Sequence, residues 1–155
     1  VSTLPNQFVK YTFQKNRIPI FQKYKLVRPE VTIRNHRFDF LLNNKSGKNF
    51  FLEVKSVTFV EDGIAKFPDA VTTRGMNHAK TLTDLVKEGE FAGILFVCQR
   101  PDATLFEPMW DRDPMFSNVL FNAYKMGVKV WCITLNVSQT EISFNKEIPV
   151  NFKKK

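Results

Sequence analysis

The order of hydrophobic patterns predicts an α/β fold, a mixed central sheet flanked by helices. Three observations carry this. Extended segments follow one another between residues 30 and 60; the later apolar runs AGILFVCQ and VKVWCITLNV suit buried strands; and each of those runs follows a stretch with helical spacing. Consecutive strands pair antiparallel through short turns, whereas a strand reached through a helix returns to the same sheet, so both kinds of pairing are expected.

In chain order, LPNQFVKYTFQKN has Pro5 near a helix start, sets Phe8, Val9, Thr12 and Phe13 on one face and ends at Asn16, which predicts a short helix. RIPIFQKYKLVRP, with Pro19 and Pro29, reads as a connector, and EVTI (30–33) as a short strand. A hairpin follows over 37–43 and 49–60, joined by NNKSGKN. EDGIAKFPDAVTTRG, with Gly63, Pro68 and a Thr-Thr pair able to cap a helix, reads as a loop. From Arg74 to Glu88 the positions Met76, Ala79, Leu82, Leu85 and Val86 keep helical spacing, and Gly89 closes the helix. After the strand AGILFVCQ, RPDATLFEPMWDRD is a long loop. Asp113 as cap and Pro114 in the first turn then start another helix, with Phe116, Val119, Leu120 and Ala123 inward and Gly127 beyond its end. VKVWCITLNV is a buried strand and TEISF a short last one.

Composition sets the bounds. The 155 residues, 43% hydrophobic with 16 Phe and 25% charged, suit one domain over 1–155 with a genuine core and exclude a disordered chain. No apolar run approaches the roughly 20 residues of a membrane span and no signal-peptide pattern opens the chain, so no membrane partner and a cytoplasmic address are expected. Cys98 and Cys132 each sit inside an apolar run and read as reduced core thiols, without the further Cys or His of a zinc site. The net charge of +8 is uneven: residues 1–36 carry +6, the last ten +3 and the remainder −1. This distribution fits a docking surface for a polyanion such as nucleic acid, and equally a solvated basic face with a lysine tail.

The hairpin RFDFLLNNKSGKNFFLEVKS sets two carboxylates and a lysine among Phe, Leu and Val. Side chains alternate across a strand, so Phe38, Phe40 and Leu42 should share one face and Arg37, Asp39 and Leu41 the other. If Leu42 stands opposite Phe50, Asp39 falls opposite Glu53, with Lys55 two residues further along the same face. Opposed side chains lie about 5 Å apart, where like charges repel. A divalent cation offsets that repulsion, because Mg²⁺ takes one or two protein carboxylates and fills its other positions with water and substrate phosphate. The alternative is a solvated hairpin with a Glu53–Lys55 pair worth under about 1 kcal/mol.

The segments LPNQFV, RFDFLL, EVKSVT, FPDAVTTRGMNH, GILFVCQRPDA and DPMFSNVLFNAYKMGVKVW together resemble the sugar fermentation stimulation protein A family, from about Leu4 to Val150. The order of helix, three strands with Asp then Glu-x-Lys, helix and strand resembles the PD-(D/E)xK nuclease core of restriction enzymes, here with an added helix and strands at the C-terminal end. The resemblance implies a DNA-binding protein with a Mg²⁺- or Mn²⁺-dependent endonuclease site. Asp39, Glu53 and Lys55 would be its catalytic set, and Asp39 and Glu53 its metal ligands. RNA as a ligand stays open, and a homodimer is in keeping with the resemblance, since two strands need two sites. Family members usually carry a further N-terminal half resembling an oligonucleotide-binding barrel, which this chain is expected to lack.

The first helix, where the general nuclease pattern often supplies a Glu, contains no acid, and Glu30 is the nearby substitute as a ligand. Asp69 spells the motif's "PD" but follows EVK, so it reads as a loop-shaping residue or helix cap, with metal ligation as the alternative. Arg74 and His78, four apart near a helix start, are candidates for phosphate contact. Arg37, Gln99 and Arg100, with His36, flank the proposed site as candidates to hold nucleic acid. Trp110, beside Arg112, reads as a loop anchor rather than a base-stacking residue. Two other readings compete: a DNA-binding regulator of sugar-metabolism genes that does not cut, and a small-molecule phosphohydrolase.

Overall fold

The computed structural model describes residues 4–15 and 18–154, so the expected helix end at Asn16 lies outside the described residues. The elements run α1 (Leu4–Lys15), a 3-10 turn (Pro19–Lys23), β1 (Lys25–Ile33), β2 (His36–Asn43), β3 (Asn49–Val57), β4 (Phe59–Glu61), β5 (Ile64–Phe67), α2 (Thr73–Lys87), β6 (Phe91–Cys98), β7 (Leu105–Pro108), α3 (Pro114–Lys125), β8 (Lys129–Val137) and β9 (Ile142–Ile148). Six strands form a mixed sheet in the order β1-β2-β3-β6-β8-β9. Its centre, β3-β6-β8, is parallel, and the outer pairs β1-β2, β2-β3 and β8-β9 are antiparallel. The expected mixed sheet flanked by helices is therefore present.

Each face of the sheet buries its own cluster. Phe8 and Val9 of α1 pack with Phe40, Leu42, Phe50, Leu52, Ile133 and Leu135. On the other face Leu82 of α2 and Phe116 and Leu120 of α3 pack with Phe51, Phe96 and Cys132. β6 is covered on both sides, which is why FAGILFVC reads as a continuous apolar run rather than an alternation. A Cβ at Gly93 would lie 2.8 Å from the Phe50 ring and 3.0 Å from Trp131, so the stacked pair of those rings requires glycine there. Cys98 and Cys132 are free and buried, as expected of core thiols.

Several sequence expectations change. β1 begins at Lys25 rather than Glu30 and runs through Pro29. An edge strand tolerates the proline because it has a ladder on one side only. The strand expected over 49–60 stops at Val57, and the chain re-enters as β4 in a second sheet, β4-β5-β7. β5 and β7 lie in segments expected to be loops. The turn between β4 and β5 is Asp62-Gly63, with positive φ at both residues (53° and 77°), the two-residue hairpin turn that Asp-Gly favours. These three- and four-residue strands are too short to show a period of two. β9 is also longer than TEISF, reaching Ile148.

Asp113 ties the two helices of one layer together. Its Oδ1 accepts from the Phe116 amide at 3.0 Å as the cap of α3, while Oδ2 accepts from the Thr72 amide at 2.9 Å. Thr72 itself caps α2, accepting from the Gly75 amide at 2.9 Å. The cap of α2 is thus one of the Thr-Thr pair and not Asp69.

Candidate functional site

The site lies where the sheet forks. β2 and β3 pair through Leu42–Phe50, Leu41–Phe51 and Phe40–Leu52, the register that hydrophobic alternation predicts. There the ladder ends, because β2 continues alongside β1 while β3 continues alongside β6. Asp39 occupies the opening. Its Oδ2 accepts from the Val54 amide at 2.7 Å, so a side chain satisfies the donor that the ending ladder leaves. Its Oδ1 accepts from Asn6 of α1, also at 2.7 Å.

The expected alternation breaks at this residue. Phe40 and Leu42 belong to the α1-side cluster, but Phe38 lies in the cluster under α2 and α3. Across the strand pair, Glu30 of β1 sits between Pro29–Phe40 and Val31–Phe38 with φ at 56°, so the irregularity spans both strands. Loss of the β3 ladder on one side is the physical reason: Asp39 follows its hydrogen bonds rather than the pleat.

Glu53 is 3% exposed. Its Oε2 lies 2.5 Å from Nδ1 of His78 on α2 and 3.1 Å from the Lys55 ammonium. The Lys55 Nζ is 3.4 Å from the same ring nitrogen, which completes a three-residue cluster. Glu53 Oε1 is buried and has no hydrogen-bond partner. The Asp39 and Glu53 carboxyls meet as acid and acid, a contact that closes only when one of them holds a proton. Burial, with the hydrogen bond and charge of Glu53 adding to it, pushes the Asp39 carboxyl up to about 7 against the opposing Val54 and Asn6 donors. Burial also works against ionisation of Glu53, but donors from His78 and Asp39 and the charge of Lys55 outweigh it and hold that carboxyl down at about 2. The pair therefore divides into one proton-holding acid and one carboxylate.

A cleft of about 510 Å³ opens over the pair, lined by Asp39, Glu53, Lys55, Glu30, Arg37 and Arg74, together with Asn6, Gln7, Lys10 and Ser56. Among the described residues no three His, Cys, Asp or Glu side chains form a ready-made metal cage. A hard divalent cation needs only one or two carboxylates, and the unpartnered oxygen of Glu53 beside a second acid fits that requirement.

The structure thus gathers Asp39, Glu53 and Lys55 and adds Glu30, Arg37 and Arg74 to their walls. It places the other expected residues differently. His78 is 4% exposed, its ring against Phe38 and its Nδ1 on Glu53, so it supports the acid from below instead of meeting phosphate at the surface. Gln99 reaches the rim through Ser56, donating to its hydroxyl at 3.2 Å. Arg100 is paired with Asp102 at 2.6 Å and does not line the cleft. Asp69 is exposed and away from the cleft, with its carbonyl accepting from Arg112. Trp110 packs edge-on to Phe121, consistent with an anchor. Sequence reasoning missed Asn6 and Lys10. Their spacing of four places both on one face of α1, and this was the available signal.

These features define a mixed α/β domain with a buried acid pair and a lysine at the fork of its sheet. The chain belongs to the sugar fermentation stimulation protein family: the profile described as "Sugar fermentation stimulation protein RE domain" matches residues 3–141. It is 39% identical over 149 residues to the sugar fermentation stimulation protein homolog of Clostridium tetani, covering 96% of this chain and 65% of that protein. The homolog of Desulforamulus reducens is 40% identical over 149 residues, covering 96% and 62% respectively. Among solved structures, SfsA of Pyrococcus furiosus in complex with Ca²⁺ superposes with a TM-score of 0.89 at 27% identity, over 96% of this chain and 64% of that one. The chain spans a little less than two thirds of the length of these relatives. No helix among the described residues is long and apolar enough to cross a membrane.

Proposed function

We propose that this chain is a divalent-metal-dependent nuclease domain of the PD-(D/E)xK type, acting on the phosphodiester bonds of DNA. The observation that carries the reading is Glu53 Oε1, a buried carboxylate oxygen without a partner, set beside Asp39 in a cleft that also holds Lys55. The succession α1, three antiparallel strands, α2 and the parallel strand β6 supports it, with the acids on the second and third strands. That the Pyrococcus furiosus relative is known in complex with Ca²⁺ is in keeping with divalent-metal binding by this fold. Mg²⁺ and Mn²⁺ are the proposed working ions.

Asp39 and Glu53 would hold the cation, which when bound supplies Lewis-acid activation and charge neutralisation at phosphate. The chain's own residues do the rest. Lys55, anchored on Glu53 Oε2 with its ammonium at the cleft, is placed to donate to a phosphate oxygen or orient the attacking nucleophile. Arg37, Arg74 and Lys10 line the same cleft and supply the positive charge that phosphates require. Gln99, at the rim through Ser56, stays a candidate for holding the strand, whereas Arg100 would have to leave Asp102 to do so.

The test is cleavage of duplex and single-stranded DNA by the purified chain with Mg²⁺ or Mn²⁺, beside Glu53→Gln and Lys55→Ala. Product formed by the wild type and lost in both variants is expected. Unchanged cleavage in the variants refutes the assignment, and tight binding of duplex without product under either metal would mark a DNA-binding protein that does not cut.

A further inference from the structure

Two polar side chains hold the acid pair from opposite faces of the sheet. From α1, Asn6 donates to Asp39 Oδ1 at 2.7 Å. From α2, His78 Nδ1 contacts Glu53 Oε2 at 2.5 Å and is buried between the Phe38 and His36 rings, which fixes its plane. Lys55 shares that same Oε2. The Val54 amide occupies Asp39 Oδ2. Nitrogen donors thus engage three of the four carboxylate oxygens, and the fourth, Glu53 Oε1, is buried and accepts from no nitrogen donor.

We infer that Asn6 and His78 are positioning residues that lock the two carboxylates in rotation, so that Glu53 Oε1 is the oxygen presented to the cation. This rests on the proposed metal site. A carboxylate free to rotate about its last bond presents either oxygen and loses rotamer freedom on binding, whereas one already held by a donor has lost that freedom in advance. Donors behind ligating groups typically contribute about 10- to 100-fold in metal affinity. Asn6 has a second consequence: it occupies on α1 a place where a carboxylate would add a third acid, so the first helix contributes an anchor for Asp39 instead of a ligand.

The experiment is calorimetric titration with Mn²⁺ alone, without DNA, on the wild-type chain, Glu53→Gln, His78→Phe, His78→Asn and Asn6→Ala, each checked by thermal melting. His78→Phe keeps an aromatic ring against Phe38 but removes the donor; His78→Asn returns an amide nitrogen near the position of Nδ1. Wild-type binding weakened about 10- to 100-fold in His78→Phe and Asn6→Ala, largely restored in His78→Asn, with the proteins still folded, is the expected result. A purely packing role for His78 would be unmoved by the difference between Phe and Asn in this direction. If wild type binds, Glu53→Gln does not, and both His78→Phe and Asn6→Ala bind within about twofold of wild type, the positioning roles are overturned while the metal site stands. If the folded wild type takes up no Mn²⁺, the metal site and this inference fall together. Should His78→Phe not fold, Asn6→Ala, which alters a partly exposed side chain, and His78→Asn decide the matter by the same thresholds.

Discussion

Raising the pH should destabilise the metal-free protein, and Asp39 sets the size of the effect. Its carboxyl titrates at about 7 in the folded chain against an ordinary value of 3.8. Between those values the folded state keeps a proton that the unfolded state has lost, so stability falls as pH rises through the window and levels off above about 7. One proton held by the folded state alone gives a slope of up to about 1.4 kcal/mol per pH unit, hence at most about 3 kcal/mol between pH 5 and 8. Asp39 opens onto a solvated cleft, so screening should reduce this to about 1–2 kcal/mol. Glu53, held down at about 2, contributes its stability above pH 4.5 and loses it only at more acid pH, outside this window. The assay is urea denaturation in the presence of a chelator across that range, wild type beside Asp39→Asn. The variant lacks the titrating group, so its profile should be flatter by that amount, whatever its absolute stability. Equal slopes for the two proteins would refute the argument that burial and the neighbouring acid hold a proton on Asp39.

Other expectations concern the scaffold and the cleft. Phe96→Ala removes a fully buried ring stacked on Phe106 at a 4.4 Å centroid separation and should cost about 3–5 kcal/mol by denaturant titration. Asp113→Ala strips both the cap of α3 and the acceptor of the Thr72 amide, and should lower stability by about 2–3 kcal/mol, against about 1 for an ordinary cap. If the cleft binds DNA, Arg37→Ala and Arg74→Ala should each weaken binding at all sequences and reduce the slope of log affinity against log salt by about 1, measured by fluorescence anisotropy.

Much of the site was legible because it rests on the most local pairing in the sheet. A hairpin whose apolar residues must match across a five-residue loop admits few registers, and the one that pairs Leu42 with Phe50 also points Asp39, just past the end of the ladder, toward Glu53. The two charges were conspicuous because they interrupt an apolar hairpin. What stayed hidden depends on distant chain segments. That β3 stays paired with β6 beyond Leu52, where its pairing with β2 has ended, depends on the parallel ladder, and at this fork Phe38 lies on the opposite face from the one alternation assigns. Helical spacing groups Arg74 with His78, yet one turn separates a residue lining the cleft from one sealed beneath it by Phe38 and Glu53. Asn6, a polar residue on an amphipathic helix, reads as solvent-facing until the sheet it docks on is known. The small sheet β4-β5-β7 escaped because strands of three or four residues leave no periodic trace, although Asp62-Gly63 signalled its first turn.

The fork also implies an order of events during folding. The β2-β3 hairpin closes a short loop and can form in about 1–10 μs, whereas the β3-β6 pairing waits for the whole α2 crossover. Asp39 and Glu53 therefore meet first in water, where two charges about 5 Å apart repel by under about 1 kcal/mol, and the repulsion grows only when α1 and α2 cover them. A penalty acquired that late is expected to fall after the rate-limiting barrier. In kinetic measurements above about pH 7, the lost stability should therefore appear as faster unfolding, with the folding arm of the chevron nearly unchanged.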